Sequence, residues 1–583
     1  MNASRPTVAP ELIAAMIEST PDRVRRRLDR TPDVAEGWSW GPGESSWAVE
    51  TGGETVTLPH GLITTVEQIT CTCLLSPRCF HVLACLTRLE VALGEPDGAE
   101  ETEQIATAAE DASEDLIEPT EGQRRAANEL VASATRLLRV GIANSGIVLR
   151  SDLLRAIHQC RAEGLHRLAA LGLRVIAAIG EIRSRAAAAD PEQLAEDVAD
   201  LLETSHHVLG ERSVAGFWIG TARRKQMPVR PRRLLGLFAE PVVTRSGYSG
   251  AAVYFLGGDG RIYTASDVRP GDVQRARDAY LGGIEIGPMV QSAKQLARKS
   301  YLGTDLTASA DGRLGRGKGA QIVEQAPSNW QDEVIAERFG RPLEAQWDAA
   351  YAQASLPADA REAGWNLLFL EGTVLGAAGP ALLLQPAGDP RMIRLAIENE
   401  SEGLHFRENL RMLSHAPGLR LKVIGRVNLL EPRMVAPLAV AEAEAARTDD
   451  GPRLEIPESW GDRVCLGFDE IQYRFLRNAR GTAMLVNAQV MPLEDPLGPL
   501  RRRWIATSLS GLASRRHAAS SLLVAEVATL NRSGFSTGAA LLDALSRQRS
   551  SADATDTDTF LAVAIYLRIT AIERARFAST LES

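Results

Sequence analysis

Residues 71–81 read Cys71-Thr72-Cys73-Leu74-Leu75-Ser76-Pro77-Arg78-Cys79-Phe80-His81, a C-x-C pair, five residues that include a proline, and then C-x-H. Zn²⁺ favours four thiolate or imidazole donors at tetrahedral corners, and two close pairs joined by a short loop can supply them. The expected ligands are Cys71, Cys73, Cys79 and His81. With all four positions filled by protein, no place is left for an activated water, so one structural Zn²⁺ is expected and no catalytic metal. Three thiolates around a dication leave one net negative charge, which Arg78 and the positive end of a following helix can offset.

The flanking residues fit that expectation. Ser46-Trp47-Ala48-Val49-Glu50 and Glu54-Thr55-Val56-Thr57-Leu58 alternate polar and apolar around Thr51-Gly52-Gly53, the pattern of a β-hairpin with a glycine turn. His81 to Leu89 carries apolar residues at helical spacing, so the cysteine cluster lies where a hairpin gives way to a helix. A unit of about 50 residues buries too little apolar surface to be secure alone, whereas structural zinc can contribute roughly 10 to 16 kcal/mol. The metal is therefore expected to decide whether this unit folds.

The order, spacing and context of these residues resemble the SWIM zinc-finger family, whose signature is C-x-C, a variable spacer and C-x-H between strands and a helix. The resemblance covers about residues 41–92 and places the family's ligands on Cys71, Cys73, Cys79 and His81. It implies a DNA-binding or protein-interaction module and names no partner; its bacterial, actinobacterial-like members include long chains with uncharacterised regions behind the finger. Leu74 and Leu75 make the loop more apolar than in many members. Cys85, one helical turn after His81, is expected to be a small core residue, and the solitary Cys160 and Cys465 to be buried.

At 583 residues the chain is far longer than this unit, and at roughly 150 residues per domain it implies about four domains. Six cysteines are too few for a disulfide-stapled secreted scaffold. No run of about 18 to 20 apolar residues occurs, and the start lacks a basic segment followed by an apolar one, so a cytoplasmic protein without membrane contact is expected. Net charge is -9, but Glu95 to Glu121 alone holds eleven acids and no Lys or Arg, leaving the remainder at -9 + 11 = +2. Nearly neutral folded parts neither attract nor exclude nucleic acid, so such binding would need local basic patches.

The expected fold class is multidomain α+β: a ββα zinc module, helical domains, and one or two small OB-like β-barrels. In chain order these are N-terminal helices over 1–40, the SWIM-type finger over 41–92, and an acidic linker over 93–122. A helical domain follows over 123–210, then a β-rich domain over 211–325, a helical segment over 326–366, an OB-like barrel over 367–445 and a C-terminal helical domain over 446–583. The barrel assignment rests on five strand-like pieces between 371 and 441 with a short helix, Phe406 to Leu413, before the fourth.

Other motifs carry less. Gly312 to Gly319 nearly spells a phosphate-binding loop, but glycine follows Lys318 where Mg²⁺ binding requires Ser or Thr. Gly534-Phe535-Ser536-Thr537-Gly538 has the nucleophile-elbow spacing, yet a helical pattern precedes it and no histidine follows His517, so Ser536 reads as a helix cap. His206 and His207 have no further ligands nearby in sequence. Arg223, Arg224, Lys225, Arg230, Arg232 and Arg233 form a basic run ahead of Tyr248, Tyr254, Phe255 and Tyr263, the mixture of cations and rings that single-strand binding uses. Two functions follow as expectations: a non-catalytic, zinc-holding adaptor with protein partners, or a DNA- or RNA-binding protein using finger, basic run and barrel. No small-molecule substrate is indicated.

Overall fold

A computed structural model describes residues 5–9, 34–91, 116–186, 189–221, 226–229, 233–444, 451–479, 495–512, 520–546 and 554–580, apart from short gaps, with isolated positions between 12 and 28. The chain divides into two compact units. The first joins residues 1–100 and 110–223 to 495–568; the second holds 224–494 with the two remaining segments, 101–109 and 569–583.

The first unit opens with four antiparallel strands in sequential order: β1 (Ser39–Pro42), β2 (Ser46–Glu50), β3 (Thr55–Pro59) and β4 (Thr70–Cys71). In the β2–β3 hairpin Trp47 faces Leu58 and Val49 faces Val56, all four buried, and Gly52 takes the positive φ of 87° that its turn requires. Helix α1 (Phe80–Leu86) follows the sheet and buries Val82, Leu83 and Leu86.

Four helices come next: α2 (Glu121–Val140), α3 (Ile147–Ala162), α4 (His166–Ser184) and α5 (Pro191–Gly210). Thr120 and Gln123 form a reciprocal capping box, with hydrogen bonds of 3.0 and 3.1 Å, so α2 begins inside the stretch expected to be linker up to 122. The residues from 92 to 115 lie outside the described residues. Asp190 caps α5 by accepting from the Glu192 and Gln193 amides at 3.0 and 3.2 Å, ahead of a first-turn proline.

In the second unit, β5 (Arg233–Val243), β6 (Tyr248–Gly257), β7 (Ile262–Pro270), β8 (Lys299–Thr304) and β9 (Gln321–Pro327) form an antiparallel sheet in the order β7-β6-β5-β8-β9. Helix α6 (Val273–Leu281) follows β7. This sheet stays open among the described residues, so one of the two β-rich regions closes and not both. The closed one is built from β10 (Leu367–Ala378), β11 (Ala381–Pro386), β12 (Ile393–Leu395), β13 (Arg420–Val427) and β14 (Met434–Glu442). Its order is β12-β11-β10-β13-β14, and parallel pairing of β12 with β14 closes the barrel. Helix α7 (Phe406–Leu413) connects β12 to β13.

The barrel sheet continues past residue 445: β15 (Arg463–Cys465) pairs with β14, Cys465 opposite Ala439. Three residues are too few for alternation to be seen in sequence, which is why 446 onward reads as purely helical. The helices α8 (Gly498–Ser510), α9 (Ser520–Arg532) and α10 (Ser536–Ser546) are not a separate body: Leu500, Trp504, Leu530, Leu542 and Phe560 share one apolar core with Leu130, Leu168 and Leu201. The last helix, α11 (Ala554–Thr580), supplies Phe560, whose carbonyl accepts from the Trp504 indole at 3.2 Å. Among the described residues no helix is long and apolar enough to cross a membrane.

Candidate metal centre

Sheet and helix bring the two donor pairs together. Thr70–Cys71 pairs with β3, Val56 opposite Cys71, which fixes the first pair at the end of a strand. The Thr72 amide adds a 3.1 Å bond to the Thr55 carbonyl. The loop then folds back on itself: the Ser76 amide bonds the Cys73 carbonyl at 3.1 Å, and the Cys71 amide donates to Ser76 Oγ at 3.1 Å. Cys79 is the N-cap of α1, its sulfur accepting from the Val82 amide at 3.4 Å, and His81 lies in the first turn. An amide and the helix N-terminus thus favour a thiolate at Cys79.

The donor atoms of Cys71, Cys73, Cys79 and His81 all lie within 4.8 Å of one another. Cys71 Sγ and His81 Nδ1 are 3.9 Å apart, within a few tenths of an ångström of the roughly 3.6 Å that tetrahedral coordination with about 2.3 Å metal–sulfur and 2.0 Å metal–nitrogen bonds imposes. The three cysteines form no disulfide, so the convergence is not covalent. Burial first, and then the neighbouring thiols, push Cys71 up and Cys79 up to about 12, so these groups stay neutral thiols unless a bound cation holds them as thiolates. The cluster can hold one metal ion. Trp38 and Phe80 wall the imidazole, with ring centroids 6.0 and 5.9 Å from that of His81. Cys85 is fully buried on α1 and is no member of the four-donor cluster.

The chain matches no known family model, no curated protein and no solved structure.

The remaining sequence candidates fare differently. Arg223, Arg224, Lys225, Arg230 and Arg232 lie outside the described residues. Arg233 starts β5 and is paired with Asp332 at 2.7 Å, so its charge is already met. The rings expected to stack on bases are largely core: Phe255 and Tyr263 are buried, and Tyr254 stacks on Phe238 at 4.7 Å with its hydroxyl donating to Glu240. Aromatic residues in a strand pack inward for the same reason that they favour strands, and this corrects the base-stacking expectation for these three. His207 stacks on Trp218 at 3.9 Å and pairs with Glu211 at 2.7 Å. Ser536 opens α10 after Ser520–Arg532, so a helix, not a strand, precedes the G-x-S-x-G run. Lys318 lies outside the described residues.

Sequence spacing missed a cavity of about 280 Å³ in the second unit, lined among others by Glu240, Phe406 and Arg426. Arg426 Nη2 donates to both Glu240 oxygens at 2.8 and 3.0 Å. These partners are 186 residues apart, and no local pattern announces them.

Proposed function

We propose that the chain is a zinc-holding, non-catalytic recognition protein that acts as an adaptor for protein partners. The observation that carries this reading is the four-donor cluster closing around a loop whose tip is apolar and solvent-facing: Leu74 is fully exposed and Leu75 is 56% exposed. Three sulfurs and one imidazole suit Zn²⁺, and a fully protein-ligated site holds shape without activating water. Two leucines held out in solvent by a metal-braced loop are suited to an apolar contact and ill suited to a polyanion. The resemblance to SWIM zinc fingers supports the same class of role, and the strand order of the barrel, with a helix before its fourth strand, supports an OB-like assignment.

The nucleic-acid reading keeps the finger, the basic run and the barrel as its surfaces, and it is weakened by the pairing of Arg233 and the burial of the strand aromatics. In the cavity at Arg426 the Glu240 carboxylate is already bonded by Arg426 and Tyr254, which supports no enzymatic role for it.

Affinity capture of the intact protein from its own cells, with nuclease treatment, separates the two readings. Partners that survive nuclease and are lost from a Leu74→Asp/Leu75→Asp variant of unchanged zinc content support the adaptor. A shift of DNA or RNA that weakens by about a thousandfold between 50 and 200 mM salt, with no nuclease-resistant partner, overturns it.

A further inference from the structure

The cavity of about 280 Å³ lies where β5 of the open sheet meets the barrel of the same unit. Its walls are mostly apolar, with Pro241, Val243, Ala396, Phe406, Pro437 and Leu438 among them. Three charged residues complete the lining: Glu240 on β5, Arg426 on β13, and Glu398, three residues past the end of β12.

Glu240 and Arg426 answer each other. Arg426 Nη2 donates to both oxygens of Glu240, at 2.8 Å to Oε1 and 3.0 Å to Oε2, and the Tyr254 hydroxyl donates to Oε1 at 2.7 Å. A carboxylate oxygen can accept two bonds, so Oε2 keeps room for one more donor. Glu398 is different: its residue is exposed, and among the described residues its carboxylate takes part in no hydrogen bond or ion pair. Since the Glu240–Arg426 pair cancels, Glu398 sets the sign of the lining, +1 - 2 = -1. Loss of water at the wall raises the Glu398 carboxyl, Arg426 pulls it back, Glu240 pushes it up again, and the net shift is upward. A neighbouring cation would relieve that shift, whereas an anion would add to it.

Small-molecule sites combine apolar walls with a few polar groups that fix orientation. An apolar chamber with one unanswered carboxylate calls for an apolar body carrying one positive charge. We propose that this cavity binds a small primary amine, with its ammonium on Glu398 and its apolar chain against the walls formed by Val243, Phe406 and Leu438. An ammonium brings three donors, enough for Glu398 and for the spare acceptor position on Glu240 Oε2. The inference stands apart from the adaptor reading, since it uses neither the metal loop nor its leucines.

Ligand-observed NMR titration of the zinc-loaded full chain at low salt, with n-pentylamine, pentan-1-ol and pentanoate as probes of equal chain length, tests it. The amine should bind the wild type about tenfold or more tightly than the alcohol, and pentanoate more weakly than either. Glu398→Gln, at an exposed position, should abolish the preference for amine over alcohol while leaving the alcohol's affinity unchanged. Ala396→Phe should weaken amine and alcohol alike by filling the space; if that variant does not fold, the Glu398→Gln comparison alone decides. An amine that binds no tighter than the alcohol, a preference that survives Glu398→Gln, or no binding of any probe up to about 10 mM overturns the site. Tightest binding of pentanoate also overturns it, because the cavity would then take anions through Arg426.

Discussion

Arg298 and Asp469, 171 residues apart in the chain, meet as a buried ion pair at 2.6 Å. The pair joins the open sheet's connection to the segment after the barrel. Asp469 also accepts from the Tyr280 hydroxyl at 2.9 Å and the Cys465 amide at 2.8 Å, and Arg298 Nε reaches the Trp460 carbonyl at 2.8 Å. Burial opposes the charge on Arg298, but the groups around it, Asp469 and Tyr280 among them, raise it above its ordinary value.

Breaking this pair should destabilise the second unit strongly. Asp469→Asn leaves a guanidinium buried without a counter-charge, at a cost of about 3 to 5 kcal/mol, whereas replacing both partners by apolar residues should recover much of the loss. Denaturant melts of Asp469→Asn and of the Arg298→Met/Asp469→Leu double variant check this; a double variant no better than the single would show that hydrogen bonds, not charge, dominate.

Removing one ligand should empty the metal centre, and removing the neighbouring thiol should not. Elemental analysis is expected to find one zinc per chain in the wild type and in Cys85→Ala, and none in Cys79→Ala. Chelation or Cys79→Ala should also open residues 39–91 to limited proteolysis, because the loop and the first turn of α1 then lose what draws them together.

The four-donor cluster and the β2–β3 hairpin were legible because each depends on neighbours a few residues apart: two donor pairs, and an alternation that places Trp47, Val49, Val56 and Leu58 on one face. Long-range placement was not. Nothing near Trp504 says that it packs with Phe560 in a core shared with Leu130. Likewise sequence displays Arg233 without Asp332, the partner it meets 99 residues on.

Acid should release a clamp at the end of β11. Asp389 accepts from the Arg391 amide and Nε, both at 2.9 Å, and from Arg433 Nη2 at 3.2 Å. Burial raises its carboxyl, but the Arg391 hydrogen bonds and the charges of Arg433 and Arg391 outweigh it and hold it at about 2, below the ordinary 3.8. A depressed carboxyl stabilises above its unfolded value and ceases to do so as pH falls through its folded one. The stability difference between wild type and Asp389→Asn should therefore be on the order of 1 kcal/mol at pH 7, allowing for solvent screening, and should close between about pH 4 and pH 2.

Arg568 should show the opposite pH dependence once it is removed. From α11 it reaches three carboxylates spaced along one face of α5: Glu196 at 2.6 Å, Asp200 at 2.7 Å and Glu203 at 3.0 Å. Burial already raises Glu196, and Arg568 is the chief influence lowering it. In Arg568→Gln the acids repel one another with that restraint gone, so the folded pKa of Glu196 rises further above its unfolded one. Such groups destabilise when ionised, and stability is regained as pH falls and they take up protons. Thermal melts should place the variant below the wild type at pH 7, by an amount on the order of 2 kcal/mol, and the gap should narrow by pH 5. A gap that stays constant over this range would mean that Arg568 acts through packing of its stem and not through its charge.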